Sequence, residues 1–143
     1  MRFNPKSLGR EDGASAVEFA LISIVLVLFL TGIIQFGFTF FQYLEVVHSA
    51  REGVRWASLG TDPGSVGDSV SVRGRVAAAA PGLDPSLDDS DIAISIQTID
   101  GQAAITVSVS YESPVFMPLM SEIVGGNSFP LNSSATQRME VAP

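Results

Sequence analysis

The sequence predicts an α+β protein, in which a long N-terminal transmembrane helix continues into a small domain with a second helix and a three-stranded antiparallel sheet. Residues 19–44 carry no charge, and this stretch exceeds the roughly 20 helical residues that cross a bilayer core. Residues 46–57 repeat small and apolar side chains at near-helical spacing. Residues 92–111 alternate apolar and polar side chains around Asp100-Gly101, which is typical of a β-hairpin.

The composition excludes several classes of function. The chain has 143 residues with 15 acidic and 8 basic side chains, enough for one domain and an anchor. From Glu45 onward there are twelve acids and five bases, so no nucleic-acid partner is expected. Because the sequence has no cysteine and one histidine, disulfides, thiolate metal sites and histidine clusters are excluded, and no cofactor is expected. No catalytic triad, phosphate loop or zinc motif is visible, so the sequence does not predict an enzyme.

The uncharged stretch predicts a single-pass anchor in the cytoplasmic (inner) membrane. It is too long for a secretory signal, whose apolar region has roughly 7–15 residues. Arg2, Lys6 and Arg10 precede it, whereas Arg51 and Arg55 follow it. The positive-inside rule therefore places the N-terminus in the cytoplasm and the C-terminal domain outside it. The aromatic residues near the outer end form either an interfacial belt or a packing surface for neighbouring helices: Phe36, Phe38, Phe40, Phe41 and Tyr43.

The remaining elements follow from periodicity and turn residues. The first helix is expected to run from about residue 14 to 59, with Gly60 and Pro63 ending it. Residues 65–80 predict a second helix, and residues 131–141 a third strand, after a loop at 113–130. The apolar face of the hairpin has to be covered, and the helices before it are the candidates.

An acidic loop and a sequon each admit two interpretations. Asp84, Asp88, Asp89 and Asp91 cluster in the loop 83–91, and carboxylates are ligands for calcium. The spacing is not that of an EF-hand, so a solvated loop is the favoured interpretation. The run Asn132-Ser133-Ser134 matches a glycosylation sequon but is interpreted as ordinary surface sequence.

Glu18 is the most informative single residue. It lies at the start of the uncharged stretch. A carboxylate at the centre of a membrane helix costs about 2.5–3.5 kcal/mol, so an acidic residue in a membrane segment is first interpreted as functional. Gly13, five positions earlier, suggests a cleavage site that would place a new amino terminus beside this carboxylate. The alternative is an interfacial carboxylate that stabilises the helix N-terminus through the helix dipole.

The stretch Gly13-Ala14-Ser15-Ala16-Val17-Glu18-Phe19 resembles the prepilin peptidase signal of type IVb pilins of the tight-adherence (Flp) kind. With residues 17–20, 32–37 and 50–57, it resembles the TadE-like family of minor pilins, or pseudopilins. The resemblance implies cleavage after Gly13, with Ala14 as the new terminus and Glu18 and Phe19 at the fifth and sixth mature positions. It also implies that Glu18 pairs with the Ala14 amine of a neighbouring subunit, which would neutralise two charges and fix the stagger between subunits.

The resemblance implies three segments: a cleaved leader at 1–13, a helix at 14–59 and an extracytoplasmic domain at 60–143. It implies a structural subunit that helps start, cap or tune an adhesive pilus, either in the membrane or incorporated into the filament. The expected partners are the prepilin peptidase, other pilin-like subunits and the inner-membrane assembly platform. Two departures are the absence of a proline near Ile24 and of an acid at Gln35. The alternative function is a membrane-anchored extracytoplasmic binding or sensor domain.

Overall fold

The architecture is α+β, as the sequence predicts. The computed structural model describes residues 8–139, without the side chains of residues 8–12, 118, 119 and 124. The elements are α1 (Leu8–Ser58), α2 (Val72–Ala78), β1 (Ile92–Ile99), β2 (Gln102–Pro114), α3 (Pro118–Val124) and β3 (Ser128–Arg138).

Helix α1 is longer at its N-terminus than the sequence analysis predicted. It runs without interruption for 51 residues, and no proline lies inside it to break its hydrogen bonds. It begins at Leu8 rather than near residue 14, so Gly13 lies inside a helix. Its C-terminal end is close to the predicted one, because Gly60 adopts a φ of +77° and its N–H donates to Ala57 O at 3.0 Å.

The sheet is antiparallel with the order β1-β2-β3. Asp100 and Gly101 have φ values of 52° and 78°, and positive φ at both positions of a two-residue turn matches the right-handed twist of the strands it joins. The predicted hairpin is therefore confirmed. Val107 pairs with Ile94 on one side and with Ala135 on the other, which places the apolar side chains of the three strands on one face.

The outer half of α1 and helix α2 cover that apolar face, as expected. α1 packs against β2, β3 and α2, and its buried residues form a stripe of Val46, Ala50, Val54 and Ala57. Gly53 lies in this stripe, where an added Cβ would be 2.4 Å from Val76 Cγ2 and 3.1 Å from Val107 Cγ1. The absence of a side chain at Gly53 therefore lets α1 approach α2 and the sheet closely.

The predicted second helix at residues 65–80 is wrong in its first half. α2 starts at Val72 because Ser71 is its N-cap and accepts a hydrogen bond from Gly74 N–H at 3.0 Å. The segment before it folds back, so that the N–H groups of Val72 and Arg73 donate to the carbonyl oxygens of Asp62 and Pro63. These bonds satisfy two of the N–H groups that a helix leaves free at its start.

The predicted loop at residues 113–130 contains a helix and the ends of two strands. Pro118 opens α3 at its first turn, and Gly125 closes it with a φ of 75°, an arrangement that suits the fixed φ of proline and the freedom of glycine. Strand β3 starts at Ser128, three residues before the predicted start. The predicted end of this strand at Val141 lies outside the described residues.

Candidate functional site

The N-terminal half of α1 is an apolar surface without protein cover. Most side chains from residue 13 to 34 are exposed, whereas Gln35 is only 2% exposed. Among the described residues, α1 is the one helix that is long and apolar enough to cross a membrane. This exposed half is compatible with a single-pass membrane anchor, because water would disfavour so many exposed apolar side chains.

The four residues predicted for processing lie together on the exposed start of α1. Gly13, Ala14, Glu18 and Phe19 are all exposed, and a Cβ added at Gly13 would meet nothing within 4 Å. Ala14 and Glu18 are four residues apart, so they share one face of the helix. No hydrogen bond or ion pair joins Glu18 to another part of the chain between residues 8 and 139. Its carboxylate is therefore open to a partner from another molecule.

A row of polar side chains marks the place where the domain meets α1. We call Gln35, Thr39 and Gln42, together with Ser113 and the backbone of Pro114 and Phe116, the polar seam. Gln35 Nε2 donates to Pro114 O at 3.2 Å, and Gln35 Oε1 accepts from Phe116 N–H at 3.3 Å. One amide side chain thus satisfies the last carbonyl of β2 and an N–H group just beyond the strand.

The seam continues towards the core through Gln42. Ser113 Oγ donates to Gln42 Oε1 at 2.5 Å, and Gln42 Nε2 lies 3.4 Å from the Tyr111 hydroxyl oxygen. Tyr111 in turn donates to Asp84 O at 2.8 Å. Burial of the hydroxyl raises the pKa of Tyr111 above its ordinary value. The network fixes the height of the domain along α1, because each buried polar atom has its partner at one register only.

The sequence contained a signal for the seam. Gln35, Thr39 and Gln42 are spaced by four and three residues, which is the spacing of one helical face. In the sequence alone these residues are only mildly polar positions within the uncharged stretch. Gln35 also stands where the resembled family often has an acid, and here its side chain bonds to its own chain.

The run from Ala50 to Ala57, which contributed to the family resemblance, has a packing role in this structure. Trp56 Nε1 donates to Glu52 Oε1 at 2.7 Å, and the Arg75 guanidinium lies 4.3 Å from the centre of the Trp56 ring. Arg75 belongs to α2, so this cation–π contact joins the two helices. With the close approach at Gly53, the contact holds α2 against α1.

His48 and Ser49 make separate structural contacts. His48 Nδ1 donates to Ala79 O at 3.2 Å, at the C-terminal end of α2. Ser49 is buried and donates back to Val46 O at 2.9 Å. The two side chains are thus engaged with different partners, and neither bond resembles a nucleophile activated by a base.

The acidic loop uses its carboxylates as backbone acceptors. Asp88 Oδ1 accepts from Ser90 N–H at 2.7 Å and Asp89 Oδ1 accepts from Val66 N–H at 2.7 Å, while Asp91 Oδ2 accepts from Asp88 N–H at 2.9 Å. The Ser90 hydroxyl, followed by its N–H, lowers the pKa of Asp88. Within residues 8–139 no group of three or more His, Cys, Asp or Glu side chains is placed to hold a metal ion.

Comparison with known proteins gives a match in the N-terminal part of the chain. Residues 13–55 match the family model described as TadE-like protein, which confirms the resemblance over the segment that contains Gly13, Glu18, the exposed apolar surface and Gly53. No curated protein and no solved structure shows significant similarity to the chain.

Proposed function

We propose that this chain is a minor pilin-like subunit that helps initiate, cap or tune a tight-adherence (Flp) type IVb pilus. In this proposal the exposed half of α1 crosses the inner membrane with its N-terminus in the cytoplasm. A prepilin peptidase cuts after Gly13 and leaves Ala14 as the amino terminus. The extracytoplasmic domain is then carried on the outer half of the same helix.

The observation that carries the proposal is the position of Glu18. Its carboxylate is exposed and has no partner within the described chain, at the start of a helix surface that carries no other charge up to Gln35. A charge at that place is unfavourable in lipid unless a second charge compensates it. The amine that cleavage would create at Ala14 of a neighbouring subunit supplies that charge, and the pair would reward one axial stagger over others.

The proposed partners follow from the same geometry. The peptidase needs access to the chain around Gly13, and the exposure of residues 13–19 supports that access. Other pilin-like subunits would pack along the exposed apolar half of α1, and the inner-membrane assembly platform would receive the subunit before assembly. The match to the TadE-like family supports this setting.

The decisive experiment measures the intact mass and the N-terminal sequence of the protein expressed with and without its prepilin peptidase. We expect a new terminus at Ala14 that depends on the enzyme. A chain that still begins at Met1 while the same enzyme processes a known prepilin would contradict the proposal. That result would favour the alternative, a membrane-anchored binding or sensor domain whose Gly13 and Glu18 have no processing role.

A further inference from the structure

The connection between β2 and β3 has an unusual composition for a loop of an extracytoplasmic domain. We call residues 115–124, which include α3, the apolar connection. Its residues are Val-Phe-Met-Pro-Leu-Met-Ser-Glu-Ile-Val, with Glu122 as the only charge. Phe116 is 46% exposed and Ile123 is 59% exposed. The segment therefore presents apolar side chains that the domain itself does not cover.

The apolar connection lies beside the exposed half of α1 and not on top of the domain. Met120 and Ile123 share a groove with residues 28–36 of α1, and the Phe116 ring meets the Phe38 ring edge-on at 5.1 Å between centroids. The groove has an apolar lining, most of which comes from the stretch assigned to the membrane. The exposed apolar surface of α1 thus continues without a break onto α3.

The depth of the groove can be estimated along the axis of α1. If Glu18 marks the inner edge of the bilayer, a core of about 20 helical residues ends near Phe38. Residues 28–36 then lie within the outer leaflet, from about 3 Å below that edge at Phe36 to about 15 Å below it at Leu28, at about 1.5 Å per residue. Helices that lie in a membrane surface bury their apolar faces by about 5–10 Å, a similar depth.

The apolar connection keeps its polar side chains away from its apolar groove, and backbone polar groups at its start are bonded within the protein. Met120 and Ile123 are three residues apart and line the apolar groove, whereas Ser121 and Glu122 line a polar recess with Gly125, Gly126 and Asn127. The short helix is therefore amphipathic. Irregular backbone at membrane depth needs hydrogen-bond partners within the protein. Gln35 meets this requirement, since its side chain bonds to Pro114 O and Phe116 N–H.

From these observations we infer that the apolar connection is a second membrane-contacting element, which rests in the outer leaflet beside α1 and holds the domain against the membrane surface. Lipid acyl chains fill the groove and cover the exposed side chain of Ile123. This inference rests on the membrane insertion of α1 in the proposed function. It adds that the domain contacts the bilayer directly before any assembly.

The test uses the absence of cysteine in the chain, which allows single labels. Ile123→Cys, Val25→Cys and Ser95→Cys place an environment-sensitive fluorophore on α3, in the membrane stretch and on an exposed position of β1. Each labelled protein is reconstituted in phosphatidylcholine nanodiscs with one chain per disc, which removes neighbouring copies. Half of the discs contain lipids with a nitroxide quencher near the top of the acyl chain.

We expect the Ile123 label to lose most of its fluorescence in the quencher discs, and the Ser95 label to lose little. The Val25 label reports on α1 and should also be quenched. If Val25 is quenched and Ile123 behaves like Ser95, the inference is overturned while the insertion of α1 stands. If Val25 is not quenched, α1 does not span the bilayer and both proposals fail.

Discussion

Ser113, near the end of β2, donates a hydrogen bond of 2.5 Å to the side-chain oxygen of Gln42 on α1, and both side chains are fully buried. The bond joins the sheet to the helix close to the level where the exposed apolar surface of α1 ends. A buried amide group that loses its hydrogen-bond partner still carries the full free-energy cost of its desolvation. The pair therefore favours one position of the domain on the helix and disfavours sliding along it.

Ser113→Ala should destabilise the protein by about 1–3 kcal/mol, because Gln42 Oε1 would be left buried without its donor. Denaturant unfolding of the whole chain in detergent measures this loss. Ser110→Ala is the matched control, since Ser110 is on the same strand but exposed, and its effect should stay within about 0.5 kcal/mol. Equal effects of the two substitutions would show that the seam contributes nothing specific.

Gly53→Ala should lower stability by about 1–3 kcal/mol, because the new methyl group would overpack the contact with Val76 and Val107. The control is Gly37→Ala on the same helix, where a Cβ meets nothing within 4 Å. That change should be neutral or stabilising by up to about 1 kcal/mol through helix propensity. Thermal unfolding of both variants gives the comparison, and opposite signs are expected; a stable Gly53→Ala protein would contradict the close approach.

Gly13→Leu should block processing, because the peptidase site that accepts Gly13 is expected to admit only a small residue there. The leucine side chain would be too bulky at the bond that is cut. The N-terminal sequence in the presence of the enzyme reports the outcome. Gly37→Leu introduces the same side chain at an exposed position far from the cleavage site and should be processed normally. A mature terminus at Ala14 in the Gly13→Leu protein would count against the proposed site.

Glu18→Ala should give a processed protein that inserts into the membrane but does not assemble. The substitution removes the charge that pairs with the amine of a neighbour and makes the helix surface more apolar, so insertion is preserved or improved. Co-purification with sheared pili, or with other pilin-like subunits from the membrane, measures assembly. Glu122→Ala removes an exposed carboxylate from the domain and serves as the control; normal assembly of Glu18→Ala would refute the pairing.

Tyr111 should make stability fall at alkaline pH. Burial raises the pKa of the folded hydroxyl above 10.0, whereas the unfolded side chain ionises near its ordinary value. The unfolded state therefore loses its proton first, and stability declines as pH rises above about 10. Tyr111→Phe should flatten this decline and cost about 1 kcal/mol at neutral pH through the lost bond to Asp84 O.

Tyr43→Phe is the control for that pH effect, because Tyr43 is 41% exposed. Unfolding curves between neutral pH and pH 11 for the parent and the two variants separate the contributions. Identical slopes for Tyr111→Phe and the parent protein would contradict the assignment.

Local patterns were sufficient to predict the hairpin and the outer half of α1. The turn at Asp100-Gly101 has two residues that tolerate positive φ, and the alternation on either side sets which face is buried. The stripe from Val46 to Ala57 has helical spacing, and it packs where the sheet needs cover. In both cases the information lies within about ten neighbouring residues.

The errors arose where distant contacts decide the local structure. Residues 65–71 have valines at helical intervals, but the chain folds back so that Asp62 and Pro63 bond to the start of α2, with Ser71 as the cap. Strand β3 starts three residues before its predicted start, because Ser128 to Pro130 pair with residues 112–114 at the end of β2. The polar seam was missed because a lone glutamine in an apolar helix has no predictable partner until the fold brings residues 113–116 beside it.

The continuity of α1 has a mechanical consequence. Because the helix runs from Leu8 to Ser58 without a break, and the seam and Gly53 fix the domain to its outer half, α1 acts as a rigid shaft without a hinge. The direction in which Glu18 projects from the helix axis is therefore fixed relative to the domain. When a neighbouring subunit binds the Glu18 carboxylate, this direction determines which side of the domain faces away from that subunit. One residue inserted in α1 between Glu18 and the domain would rotate the domain by about 100° around the helix axis and move it by about 1.5 Å along that axis.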